Sequence, residues 1–221
     1  MALKAKGMIV KENNVGEADR FVTILTDEYG VIRASVRGAR KVTSRKGAST
    51  RLLSFAQFSL VKGRDTYIVD TAVPERVFFA TGGTVEQLAL AQYFCELFAA
   101  VTPREDEASE YLKLLLNSLH LLEKGEQIDR IKAVAEWRLL SLAGYMPDLH
   151  TCRCGKGLGS PFFQPVSGIL LCGACRDEGA IELTPAVLAA MRRYCIRQES
   201  SITVLTRFSC CAACWLYASS D

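Results

Sequence analysis

The chain has 221 residues, 49% of them hydrophobic and 23% charged, which suits a globular protein with one sizeable core and smaller modules. Its formal charge of +3 hides an asymmetry: residues 1–80 hold 14 Lys and Arg against 8 Asp and Glu, whereas the remainder holds 13 against 16. Charges interrupt every hydrophobic run before membrane-spanning length and no signal peptide is legible, which argues against a membrane protein and leads us to expect a cytoplasmic one.

From Lys6 to Val73 the apolar pattern is short and β-like. Five runs, GMIVKE, RFVTILT, GVIRASVRG, FAQFSLVKG and TYIVDTAV, are separated by turn-forming segments and by the long basic stretch ARKVTSRKGASTR. Five short strands suit a small barrel, because closing the sheet hides its edges, and an OB-type barrel is expected over residues 1–80. No acidic residue falls between Tyr29 and Gly63, while Arg33, Arg37, Arg40, Lys41, Arg45, Lys46, Arg51 and Lys62 all do. Such a run can be a solvated connector; joined to strands in the module that carries the positive charge, it points to a polyanion such as nucleic acid. Tyr29, Phe55, Phe58 and Tyr67 lie in or beside the strands as candidate surfaces for base stacking.

After Pro74 the period changes. Thr84 and Gln87 form a capping-box signature ahead of VEQLALAQYFCELFAAV, whose crowded apolar residues, Leu88, Tyr93 and Leu97 among them, predict a largely buried helix. A second helix is expected through SEYLKLLLNSLHLLEKG, stopped by Gly125, and a third through DRIKAVAEWRLLSLAGY, the three packing as a bundle. Thr184 and Pro185 then open PAVLAAMRRYCIRQ, with Arg192, Arg193 and Arg197 on its polar side. The helical domain is thus expected over residues 81–149 and 177–221.

Between those parts, residues 150–176 contain TCRCGKGLGSPFFQPVSGILLCGACR, with Cys152 and Cys154 at one end and Cys172 and Cys175 at the other. Two short pairs separated by a 17-residue loop can bring four thiolates onto one zinc ion, although the first pair, C-x-C, is one residue shorter than usual. Four sulfur ligands leave no position for water or substrate, so such a metal would be structural. The alternative is four reduced, packed cysteines. His150 could substitute as a ligand; Cys210, Cys211 and Cys214 read as a buried apolar segment.

The sequence contains no Gly-rich phosphate loop, no nucleophile elbow, no H-E-x-x-H and only two unclustered histidines, so no enzyme is expected. A zinc-stabilised interaction scaffold and a cysteine-based redox protein using the C-x2-C pair remain open alternatives.

In the stretches KGMIVKENNVGEADRFVTILTDEYGVIRASVRGARK, RLLSFAQFSLV, EWRLLSLAGYMPDLHTCRCGK and SGILLCGAC, taken in order, the chain resembles the RecO family of bacterial recombination mediators. The resemblance implies an α+β multidomain architecture: an N-terminal OB barrel, then an α-helical domain with a small four-cysteine zinc module. It implies binding to single- and double-stranded DNA and annealing of strands. With RecR, family members help load RecA onto DNA coated by single-strand-binding protein, whose C-terminal tail they bind. Carried over by position, the DNA role falls on Arg37, Arg40, Lys41, Arg45 and Lys46, and the metal role on Cys152, Cys154, Cys172 and Cys175.

Overall fold

A computed structural model describes residues 2–44, 46–64, 66–125 and 127–195, which fall into two compact units, Met1–Ala135 and Glu136–Asp221. In the first, β1 (Ala2–Val15), β2 (Asp19–Thr26), β3 (Val31–Val36), β4 (Ser54–Lys62) and β5 (Tyr67–Val77) form a closed barrel in the order β1-β2-β3-β5-β4. Closure depends on β1, which pairs with β4 through Ala2–Met8 and with β2 through Gly7–Val15. The two pairings overlap at Gly7, where an added Cβ would stand 2.6 Å from the Ile24 side chain, so only glycine lets the strand bend this tightly over its neighbour. A register shift between Ile9 and Lys11 adds to the curvature.

The alternation of the strands fixes what is inside. Val22, Ile24, Ile32, Ala34, Phe58, Leu60 and Val69 meet in one buried cluster. Phe58, expected as a possible stacking surface, is 1% exposed and belongs to this core; truncating it to Ala would cost about 3–5 kcal/mol.

Helix α1 (Val85–Val101) begins with the capping box foreseen: Thr84 accepts from the Gln87 backbone N–H, and the Gln87 side chain accepts from the Thr84 N–H. Its burial is one-sided rather than general. Leu90, Ala91, Phe94, Cys95 and Phe98 are buried at helical spacing, while Leu88 and Tyr93 are exposed. The difference arises because α1 packs on α2 (Ser109–Lys124) and on barrel strands β1 and β2, so one apolar face suffices. Helix α2 ends as expected at Gly125, whose φ of 74° supplies the left-handed cap.

The α1–α2 link is pinned to the β2–β3 turn. Val31 donates to Pro103 O, Glu105 to Tyr29 O and Ala108 to Asp27 O. A second tie joins β5 to α2, where Glu123 accepts from both Arg76 and the Phe79 N–H and His120 lies against Arg76. Burial and the neighbouring Arg76 and Lys124 charges hold the His120 imidazole below its ordinary pKa. Helices α1 and α2 thus form a pair built onto the barrel; α3 (Ile128–Leu142) brings its Lys132 ammonium to 5.5 Å from the Tyr93 ring of α1 and spans the division between units. No helix among the described residues is long and apolar enough to cross a membrane.

The second unit contains the end of α3, a sheet in the order β7-β6-β8 formed by β6 (Phe162–Gln164), β7 (Ile169–Leu171) and β8 (Ile181–Glu182), and helix α4 (Pro185–Cys195). Thr184 accepts from the Val187 N–H at the start of α4. The core is small, with Leu149, Leu158, Phe162, Leu171 and Leu188 packed beside Cys152 and Cys172. Trp137 donates to Met191 O, and Arg192 donates twice to Leu149 O, so this arginine of the polar face is already engaged. Arg197, Cys210, Cys211 and Cys214 lie outside the described residues.

Candidate metal centre and nucleic-acid interface

The four cysteines converge from two turns. After α3, Asp148 accepts from the His150 and Thr151 N–H groups and from the Thr151 hydroxyl, which keeps its carboxyl at a pKa of about 2. The chain then folds back on itself: Cys152 donates to Lys156 O and Gly155 to Cys152 O, with Gly155 at φ 78°. That turn compensates for the short C-x-C spacing, since it sends both thiols the same way. The second pair follows β7, where Cys175 donates to Cys172 O across a tight turn.

All four Sγ atoms lie within 4.8 Å of one another. The Cys154 and Cys172 sulfurs are 3.9 Å apart, too far for a disulfide and close to the edge of about 3.8 Å of a tetrahedron with zinc–sulfur bonds of about 2.3 Å. The thiols also interact electrostatically. Hydrogen bonds from the Cys154 and Cys172 backbones, then from their thiols, bring Cys152 down to a pKa of about 6, whereas its three sulfur neighbours push Cys175 up to about 12. A divalent cation among these sulfurs would favour the thiolate form that ligates it. The set of four soft donors fits a closed metal centre. Among the described residues His150 is not part of it.

In the first unit the basic stretch is a folded loop rather than a free connector. Successive turns run Lys41 N–H to Gly38 O, Ser44 to Lys41 O, Gly47 to Ser44 O and Arg51 to Ala48 O. Beneath it lies Arg20, only 6% exposed, whose Nη1 donates to Thr50 O at 3.0 Å and Gly47 O at 3.2 Å and lies 3.3 Å from the Glu12 carboxylate. Glu12 in turn accepts the Leu52 N–H. Sequence reading missed this pair, although a signal existed: Arg20 shares the inward phase of Val22 and Ile24 on β2.

With the loop held from below, Arg37, Arg40 and Lys41 are exposed. Arg40 spends one donor on Gly16 O, and Lys46 is half-buried with its ammonium on Val69 O. Arg45 lies outside the described residues. Tyr29, Phe55 and Tyr67 are half-buried.

The family model for the N-terminal part of recombination protein O matches residues 1–78, and that for its C-terminal part matches residues 83–199. The chain belongs to the RecO family. It is 34% identical over 204 residues to the DNA repair protein RecO of Acetivibrio thermocellus, covering 90% of this chain and 81% of the relative. It is 35% identical over 196 residues to that of Symbiobacterium thermophilum, covering 85% and 77%. The RecO protein of Roseiflexus sp. is 34% identical over 211 residues, covering 93% and 74%. Membership in the RecO family carries a general role in DNA repair and recombination as a mediator without catalysis of its own.

Proposed function

We propose that the chain acts in the cytoplasm, binds single- and double-stranded DNA through its barrel, anneals complementary strands and, with RecR, helps load RecA onto DNA coated by single-strand-binding protein, whose C-terminal tail it engages. The observation that carries the DNA part is the row of exposed cations, Arg37, Arg40 and Lys41, on an acid-free loop held rigid by Arg20 in a RecO-family barrel. Phosphates attract such cations whatever the base sequence, and screening two polyanions is all that annealing requires. Lys46, anchored on Val69 O, adds charge more than contact, and Arg45 belongs to the same run. The metal in this reading is zinc, held by Cys152, Cys154, Cys172 and Cys175, and its role is to stabilise the second unit.

The test is a fluorescence-anisotropy titration of single-stranded DNA at several salt concentrations. Arg40→Ala with Lys41→Ala should reduce the slope of log affinity against log salt by roughly 1 to 1.5, since each lost phosphate contact removes about 0.7. Weakening should extend to duplex and be similar across sequences, and annealing should proceed without nucleotide. A folded double variant with wild-type slope and affinity for both forms would remove the loop from the DNA surface.

A further inference from the structure

A thiol is oxidised where a reagent reaches it, and the product is a disulfide only where a second sulfur lies beside it. Among the described cysteines Cys154 alone is exposed. Cys95 stands at the other extreme, fully buried on α1, and burial pushes its thiol up to about 12. Cys195, half-buried at the end of α4, has the Ser141 hydroxyl at 3.9 Å. No cysteine precedes Cys95, so the barrel and its basic loop carry no thiol for the same reagent to alter.

The exposed thiol also faces one from the opposite turn. Cys154 Sγ lies 3.9 Å from Cys172 Sγ, the first on the turn closed by Gly155 N–H to Cys152 O and the second after β7. A disulfide holds its sulfurs at about 2.05 Å, so the pair has about 2 Å to close. The backbone around both has room for that. At Gly155, Gly157 and Gly159 an added Cβ would meet nothing within 4 Å, and at Gly173 only the Phe162 ring at 3.9 Å. Within either sequence pair the case is weaker. Cys152 is buried behind Cys154 in one hydrogen-bonded turn, which a bridge across a single residue would strain, and neither Cys172 nor Cys175 is exposed.

We propose that Cys154 and Cys172 form a thiol pair that a hydroperoxide converts to a disulfide, opening the four-sulfur centre and making the second unit responsive to oxidant. The Cys154 sulfur attacks a peroxide oxygen, the O–O bond breaks, and the other oxygen leaves as water or an alcohol with the thiol proton. Cys154 is then a sulfenic acid, whose sulfur Cys172 attacks; the S–O bond breaks and its hydroxyl leaves as water with the Cys172 proton. The two sulfurs lose one electron each and the hydroperoxide gains both. Two of the four donors are thereby consumed, and Cys152 and Cys175 alone cannot close a tetrahedron round a metal ion. The new bridge ties the same two turns, so a thiol reductant that cleaves it restores the donor set. Expulsion of a metal rests on the zinc reading above; the pairing of the sulfurs does not.

The test treats the full chain, as purified, with a small excess of hydrogen peroxide. Metal release is followed with a chromophoric chelator, free thiols by alkylation, and the cross-link by mass spectrometry of proteolytic fragments. Loss of about two thiols and about one zinc per chain is expected, with one peptide pair joining Cys154 to Cys172 and recovery on adding a dithiol reductant and zinc. Cys195→Ser should change neither yield nor pairing, whereas Cys154→Ser should suppress the disulfide. Should Cys154→Ser fail to fold, the mapped pair in the wild-type chain decides. A different pair, a bridge to a cysteine beyond residue 195, oxidation of the cluster without a disulfide, metal retained beside the disulfide, or a cluster unchanged by peroxide overturns the proposal. Protein that holds no metal but still forms the Cys154–Cys172 bridge keeps the thiol pair and removes the zinc reading instead.

Discussion

The basic loop and the cysteine turns are both irregular backbone, and they are held by opposite means. Under the loop, a buried guanidinium reaches the Gly47 and Thr50 carbonyls, Glu12 receives the Leu52 N–H, and the Thr50 and Ser54 hydroxyls donate to Lys46 O and Ala48 O. Every anchor comes from the chain itself. The cysteine turns have Asp148 on one side, and their sulfurs face one another at 3.9 Å between Cys154 and Cys172, beside a core of a few leucines and Phe162. Four convergent sulfurs are a donor set that a metal ion from outside the chain could complete. Stability in the first unit is therefore intrinsic, whereas in the second a metal on the four sulfurs would add to it.

The largest expected effect follows from that contrast. Removing metal with a chelator, or replacing Cys172 by Ser, should abolish the protected core of the second unit, because a structural zinc contributes folding free energy outright. Limited proteolysis should then cut within residues 136–195 while the barrel persists, and elemental analysis of untreated protein should show close to one zinc per chain. A metal-free protein with unchanged melting and unchanged proteolysis would erase the distinction between the two regions.

The next effect sharpens it from the other side. Arg20→Ala removes the ion pair of Glu12 and the guanidinium donor of two loop carbonyls, at a cost of about 2–3 kcal/mol, read as a shift in urea unfolding. Arg20→Lys should recover only part of this, since an ammonium cannot reproduce the planar fork. Chelator should leave the size of both shifts unaltered. If Arg20→Ala were as stable as the wild type, the loop would be no better anchored than a solvated connector.

The two regions were also unequally legible in the sequence. The barrel announced itself through alternation, and its five strands fall where the runs were read. The ends of β1 were missed because Lys4, Lys6, Asn13 and Asn14 are polar, and they are polar because they face out from a strand that pairs on both sides. The capping box of α1 is local chemistry and was visible in Thr84 and Gln87, but how much of that helix is covered depends on the barrel and on α2, which no local window contains. Cysteines at metal spacing are legible because few other reasons place four thiols so. Arg20 was not, since a charge within an apolar phase looks like a flaw in a strand until the loop above it is known. The turn network of residues 38–54 has no periodicity to read, so sequence reported its charge and not its order.

The smallest effects come from one glycine in each region, and they separate two reasons for a glycine. At Gly47 an added Cβ would stand 2.8 Å from Ala39 O, which cannot retreat because Ala39 is buried in the barrel core. Gly47→Ala should cost about 1–3 kcal/mol as an overpacked site, and Gly47→Asn, being larger, should cost more. At Gly155 nothing lies within 4 Å of the added carbon, and the obstacle is the backbone itself at φ 78°. Gly155→Ala should therefore cost about 1 kcal/mol, and Gly155→Asn should recover most of it, because Asn tolerates the left-handed region. Thermal melts of the four variants with metal bound decide the matter. Asn that harms at 47 and rescues at 155 means that the loop is limited by packing and the cysteine turn by dihedral strain. The same ranking at both positions would mean that the loop, too, is held only by local backbone preference, against the anchoring assigned to Arg20.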